Sequence, residues 1–230
     1  QSRSSAASDV YKRQLLIEGP AGTGKTYLAK SLSNMLSKEL IRLQCHEGID
    51  EDKAIYEWDY KKQLLSIQND KNEKDLFTDE YLIERPILKS LKTSDSLFLV
   101  DEIDRSDEEF EALLLEVLAE KQVTIPELGT VAGEGNNFTI LTSNATRDLS
   151  EALRRRCIYF FLDYPSIDIE TKVILSNVES ISEEKAKKYS LFSSFIRKLN
   201  LNKPPSLIET VEWVKYCLLY TSPSPRDGLL

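Results

Sequence analysis

Apolar positions along the chain follow two rhythms that alternate with one another. Short apolar runs at residues 15–17, 40–45, 96–104, 138–144 and 158–165 each end in polar or glycine-rich punctuation and read as strands. The run "SLFLVDEID" is apolar on both faces, as a central parallel strand should be. Between the strands the period lengthens. Leu28, Leu32, Met35 and Leu36 predict a helix over residues 23–36. The stretch "DEDKAIYEWDYKKQLLSIQ" reads as helical from about Asp50, with Trp58, Leu64, Leu65 and Ile67 as its packing positions, and another helix runs to about Leu91. "DEEFEALLLEVLAEKQ" is amphipathic and carries acids in its first turn, where the helix dipole favours them. Residues 69–75 form a polar loop, and residues 123–138, with Gly129, Gly133 and Gly135, read as a hairpin-like excursion. "DLSEALRRRC" is a short helix. After Ile167 only helical patterns remain, including "SEEKAKKYSLFSSFIRKLN" and "PPSLIETVEWVKY". Strands alternating with helices, then helices alone, predict a five-stranded parallel α/β domain over residues 15–165 and a helical appendage over 166–216.

The two ends fit neither rhythm. "SSAASDVYKRQ" and "CLLYTSPSPRD" resemble translated sequencing adapters, so residues 1–14 and 217–230 are expected to be scars and the appendage to be truncated. The chain carries 30 Lys and Arg against 38 Asp and Glu, a net charge of −8. The ends hold Arg3, Lys12, Arg13 and Arg226 against Asp9 and Asp227; subtracting four and two leaves 26 against 36, or −10. That acidic balance argues against a dedicated nucleic-acid binder, which needs clustered cations to neutralise phosphates. Cys45 and Cys157, with one histidine, His46, make neither a disulfide framework nor a zinc site, so a reduced, cytoplasmic setting is expected. No apolar run approaches a membrane span.

The chemistry is concentrated in four places. Gly19, Pro20, Ala21, Gly22, Thr23, Gly24, Lys25 and Thr26 fit G-x-x-x-x-G-K-[ST], between a strand and a helix. In such a loop glycines let successive N–H groups turn inward around a phosphate at a helix N-terminus; the lysine reaches the outer phosphates and the hydroxyl faces Mg²⁺. Tyr27 follows directly and is counted with the nucleotide-contacting residues. Second, Asp101 leaves an apolar strand where a neighbouring phosphate loop places its metal ion, and Glu102 beside it suits a general base for water. The alternative is a helix cap or solvated turn. Third, Asn144 ends the fourth strand, a place expected between the ends of the first and third strands, where it could orient the attacking water, although Ser-Asn at a strand end is also ordinary turn chemistry. Fourth, Arg154–Arg156 fan around the end of a short helix. They read either as cations favoured by the helix dipole or as the source of an arginine finger.

Taken in order and spacing, "GPAGTGKT", "LVDEIDR", "ILTSN", "ALRRRC" and "DYPS" resemble the MoxR family of AAA+ ATPases. "RLQCHEGIDEDKAIYEWDYKKQLL" and "KPPSLIETVEW" resemble the branch found with molybdenum-containing carbon monoxide dehydrogenase. The resemblance implies a P-loop NTPase with a five-stranded parallel sheet and a helical lid, working on ATP and Mg²⁺ as a homo-oligomeric ring, commonly a hexamer. It further implies a von Willebrand A-domain partner and a protein client such as a molybdenum hydroxylase, remodelled or matured at the expense of ATP. Residues 123–138 resemble the family's insertion before the fourth strand, and the Arg156–Cys157 junction resembles that of related ATPases, which implies Arg156 as the finger and Arg155 as the runner-up. One departure stands out: the family's lid arginine is missing from "KPPSLIE", which offers Ser206 and, as a substitute cation, Lys203. A nucleic-acid-directed AAA+ motor and a nucleotide-gated binding module are the alternatives.

Overall fold

A computed structural model describes residues 14–69, 76–133, 137–179, 181–199, 201 and 203–221. Residues 1–13 and 222–230 of the expected scars lie outside the described residues, as do Gly135 and residues 70–75 of the polar loop, whereas Gln14 and residues 217–221 are described and belong to a strand and a helix. The described residues fall into two compact units. One comprises the chain up to Glu18 together with Thr26–Phe161; the other comprises Gly19–Lys25 and the chain from Leu162 onward.

The first unit is built on a five-stranded parallel sheet of β1 (Gln14–Glu18), β2 (Glu39–Gln44), β5 (Ser96–Asp101), β8 (Phe138–Ser143) and β9 (Cys157–Phe161), in the order β2-β5-β8-β1-β9. Every residue of β5 is buried, which its unbroken apolar run requires of a strand covered on both faces. Helix α1 (Lys25–Met35) follows the glycine loop. The acidic-start helix, α5 (Glu108–Glu120), is capped by Asp107, which accepts the Phe110 N–H at 2.8 Å. Its buried Phe110, Leu114 and Val117 recur every three or four residues and face the core. The excursion before β8 is an antiparallel pair, β6 (Gln122–Ile125) with β7 (Gly129–Ala132). Helix α6 (Glu151–Arg156) is capped by Ser150.

One expected element breaks up. The helix read from Asp50 is interrupted: α2 (Glu51–Ile55) gives way to β3 (Tyr56–Trp58), which pairs antiparallel with β4 (Leu82–Glu84), and only then does α3 (Tyr60–Asn69) begin. Ile55, Tyr56 and Trp58 are β-branched or aromatic and favour a pleated, half-buried surface over a helix. Asp59 restarts the helix by accepting the Lys62 N–H at 3.0 Å. Trp58 is buried as expected, but Leu64, Leu65 and Ile67 are exposed. The second expected helix is correspondingly short, α4 (Pro86–Lys92).

In the second unit α7 (Ile167–Asn177), α8 (Glu183–Lys198) and α9 (Leu207–Thr221) surround an apolar centre of Ile174, Val178, Ala186, Val211 and Val214. Arg197 forms a forked pair with the fully buried Glu170 at 2.7 and 2.8 Å, donates to the Pro205 carbonyl at 2.8 Å, and lies over the Tyr164 ring. The stretch that replaces the expected lid arginine is a capping box. The Ser206 N–H donates to Glu209 and the Glu209 N–H donates back to the Ser206 hydroxyl. Hydrogen bonding to its carboxylate from the Ser206 N–H and the Ser206 side chain, and then Lys203, holds the Glu209 carboxyl down to about 2. Lys203 pairs with Glu209 at 3.1 Å and is otherwise solvated.

Candidate functional site

The glycine loop depends on residues without a side chain. Gly22 and Gly24 have φ of +77° and +98°, and a Cβ would stand 2.1 Å from Ser206 Cβ on Gly22 and 2.0 Å from the Leu162 carbonyl oxygen on Gly19. The Lys25 ammonium is buried and donates to the Gly19 and Pro20 carbonyls at 2.8 and 2.7 Å, while the Thr23 hydroxyl donates to Pro20 at 3.0 Å. The loop is thus tied to itself, with its cation held by neutral carbonyls. Tyr27, one residue past Thr26, is exposed.

Within the first unit, Thr26 and the end of β5 meet. The Thr26 hydroxyl lies 3.0 and 3.1 Å from the two oxygens of Asp101, 75 residues away in sequence. Asp101 is only 2% exposed. Its Oδ1 also accepts the Thr142 hydroxyl at 2.5 Å, and its Oδ2 accepts Arg42 Nε and Nη2 at 3.0 and 2.6 Å. Thr142 in turn accepts the Glu102 N–H at 3.0 Å, so β8 fixes the chain where β5 ends. Glu102 is left-handed, with φ of 58°, an uncommon conformation for a residue with a side chain. Its carboxylate is partly exposed and pairs with Arg105 at 3.0 Å.

The end of β8 is secured by a residue the sequence reading passed over. Asp104 accepts the Asn144 N–H at 3.1 Å and the Thr146 N–H and hydroxyl at 3.0 and 2.6 Å. Burial by itself would raise the Asp104 carboxyl, but these donors outweigh it and hold the group below its ordinary range. A carboxyl depressed in the folded state contributes stability that is present above its unfolded value and is lost as pH falls through the folded one. Asp104→Asn is therefore expected to destabilise the fold by about 1.5–3 kcal/mol at neutral pH, the worth of hydrogen bonds to a charged acceptor. It should also make thermal unfolding less pH-dependent below about pH 4, a comparison that melting curves across pH can make.

Cys45 donates its N–H to the Asp101 carbonyl. Burial first, and then the Asp101, Asp104 and Glu102 charges, push its thiol up to about 12, so it remains a protonated, unreactive packing residue. Cys157 is raised to about 11 by burial alone.

The three arginines do not behave alike. Arg154 lies 3.6 Å from Glu18 and 3.5 Å from Asp148, and Arg155 pairs with Glu151 at 2.5 Å. Arg156 is exposed and makes no ion pair among the described residues. Sequence reasoning missed Arg42, Thr142 and Asp104. Each had a trace: a lone cation in the alternation "LIRLQC", a hydroxyl inside a buried strand end, and a second aspartate three residues after Asp101.

Comparison with known proteins agrees with this sheet and loop. The sequence profile of the AAA domain, dynein-related subfamily, covers residues 14–157. The chain belongs to this AAA family. The AAA chain is 26% identical over 178 residues to an uncharacterized protein of Staphylococcus epidermidis, covering 75% of this chain and 63% of that protein's length. It is 25% identical over 193 residues to one of Staphylococcus saprophyticus, covering 81% and 69%. Among solved structures it is similar to a candidate ATPase from Cytophaga hutchinsonii, with a TM-score of 0.54, 20% identity and coverage of 82% of this chain and 56% of that one. It is also similar to a proline-to-glycine mutant of Thermotoga maritima RuvB, with a TM-score of 0.59, 18% identity and coverage of 94% and 61%. At those identities the likeness is one of fold. No described helix of this AAA protein is long and apolar enough to cross a membrane.

Proposed function

We propose that this AAA protein is a magnesium-dependent ATP hydrolase whose turnover remodels a protein client. The observation that carries the proposal is the meeting of the Thr26 hydroxyl with the buried Asp101 carboxylate across 75 residues of sequence. These are oxygen donors only, which suits a hard cation. Among the described residues no cluster of three or more His, Cys, Asp or Glu side chains could hold a metal. Mg²⁺ needs no such cage, since it keeps waters and takes one or two protein oxygens plus phosphates. Thr26 and Asp101 would hold it, and when bound it neutralises phosphate charge.

The remaining roles fall to residues whose placement supports them. Gly19–Lys25 cradle the phosphates through N–H groups, and Lys25 supplies a cation to the outer ones. The Glu102 carboxylate accepts the proton of the attacking water. Asn144, whose backbone Asp104 fixes, orients that water. Arg156, exposed and unpaired among the described residues, acts in a neighbouring subunit's site, with Arg155 as the second choice because Glu151 already engages it.

The finer reading is a cytoplasmic MoxR-type ring, commonly hexameric, acting with a von Willebrand A-domain partner to mature a metalloenzyme such as a molybdenum hydroxylase. Its support is the motif set quoted from the sequence, and the acidic balance favours a protein client over nucleic acid. Phosphate release tests the trans arrangement. Arg156→Ala and Glu102→Gln proteins should each be nearly inactive, and mixing them should restore activity, because one supplies a competent site and the other a competent finger. Absence of any recovery on mixing contradicts it. Slow turnover with partner binding only in ATP would instead mark a nucleotide-gated binding module.

A further inference from the structure

Arg42 has no part in the scheme above, yet it makes the most direct charged contact with Asp101 that the first unit displays. It sits on β2, paired with Leu99, while Gln44 two residues on pairs with Asp101. The two-residue period of a strand puts Arg42 and Gln44 on one face, and Arg42 reaches diagonally to the carboxylate. Its Nε and Nη2 converge on Oδ2, and its Nη2 is braced from the other side by Gln44 Oε1. Oδ1 meets the Thr142 and Thr26 hydroxyls, and Thr26 also reaches Oδ2 at 3.1 Å. The guanidinium thus divides the carboxylate into a cation-held oxygen, which Thr26 shares, and an oxygen that meets hydroxyls only.

The charge arithmetic gives this division a consequence. A buried carboxylate is stable only with a compensating partner, and here a guanidinium supplies one. A divalent cation arriving at Asp101 must share that single negative charge with Arg42 and is repelled by it. We propose that Arg42 is a positioning residue and internal counter-ion for Asp101, which keeps the nucleotide-free protein from taking up a divalent cation there. The cation then enters with the triphosphate, whose own charges overcome the repulsion. This inference rests on the reading of Thr26 and Asp101 as the metal-facing pair.

The test needs no turnover. Mn²⁺ is titrated into the nucleotide-free protein and the free ion is followed by its paramagnetic resonance signal. Wild type should bind weakly, and Arg42→Lys, which keeps the charge, should stay close to it. Arg42→Met should bind roughly tenfold more tightly or better, as removal of a contacting charge at an effective dielectric near 20 implies. It should also regain, with millimolar Mg²⁺, part of the thermal stability lost on substitution. A purely structural role for Arg42 would lower the melting temperature equally with and without the cation. Should Arg42→Met fail to fold, Arg42→Gln removes the charge but keeps a donor, and the same tightening is expected. The gain should vanish when Asp101→Asn is added. Neutral variants that titrate like wild type, while wild type still binds Mg–ATP, overturn the inference and leave the ATPase reading standing. A wild type that takes up no Mg–ATP overturns both.

Discussion

Glu102→Gln is expected to bind Mg–ATP within about twofold of wild type and to hydrolyse it roughly 10²–10⁴ times more slowly, the usual share of a general base. The substitution is close to isosteric, so the left-handed backbone at residue 102 and its N–H bond to Thr142 are kept. What is lost is the proton acceptor. The carboxylate leans toward Arg105, so the charge is steered rather than free. Single-turnover phosphate release measured beside equilibrium nucleotide binding separates the two effects. A rate within a few fold of wild type would remove Glu102 from the chemistry.

Lys25→Ala should act one step earlier and abolish binding. The ammonium is buried within the loop, and truncating one partner of a desolvated charge contact costs about 2–5 kcal/mol, or at least some thirtyfold in affinity. Two further effects push in the same direction. The Gly19 and Pro20 carbonyls lose their shared donor, and the loop loses the tie that shapes it. Lys25→Met keeps most of the side-chain volume but removes the same donor from both carbonyls, so it separates lost packing from lost charge and hydrogen bonding. Both variants should show the deficit with a fluorescent ATP analogue, and the methionine variant should lose less thermal stability than the alanine one.

The sequence made the sheet legible because each central strand is an unbroken apolar run, and the phosphate loop legible because few other functions require that spacing of glycines, lysine and threonine. Position within the sheet followed as well. Asn144 was expected between the ends of the first and third strands, and β8 does lie between β1 and β5. Illegible features were those decided by partners distant in sequence. The helix from Asp50 breaks at Tyr56–Trp58 because residues 82–84 offer a strand to pair with, and no local periodicity announces that. Arg42, Thr142 and Asp104 gain their meaning only when three strand ends come together around Asp101 and Asn144. The arginine run shows the same limit. Fanning around a helix end was readable, but which guanidinium is already engaged depends on Glu18, Asp148 and Glu151.

The lid carries a related lesson. Where the family resemblance calls for an arginine near Ser206, this chain builds a reciprocal cap between Ser206 and Glu209. Its arginine, Arg197, lies earlier and is committed to Glu170, Pro205 and Tyr164. A residue so engaged serves the packing of α7 against α8.

The central claim is that Thr26 and Asp101 face one nucleotide-bound magnesium ion. Calorimetric titration of ATP into wild type and Asp101→Asn, each with and without Mg²⁺, tests it most directly. The account predicts that Mg²⁺ strengthens ATP uptake by wild type and has little effect on the variant. ATP affinity in wild type that is indifferent to Mg²⁺, or a variant that responds to the cation as wild type does, would contradict it.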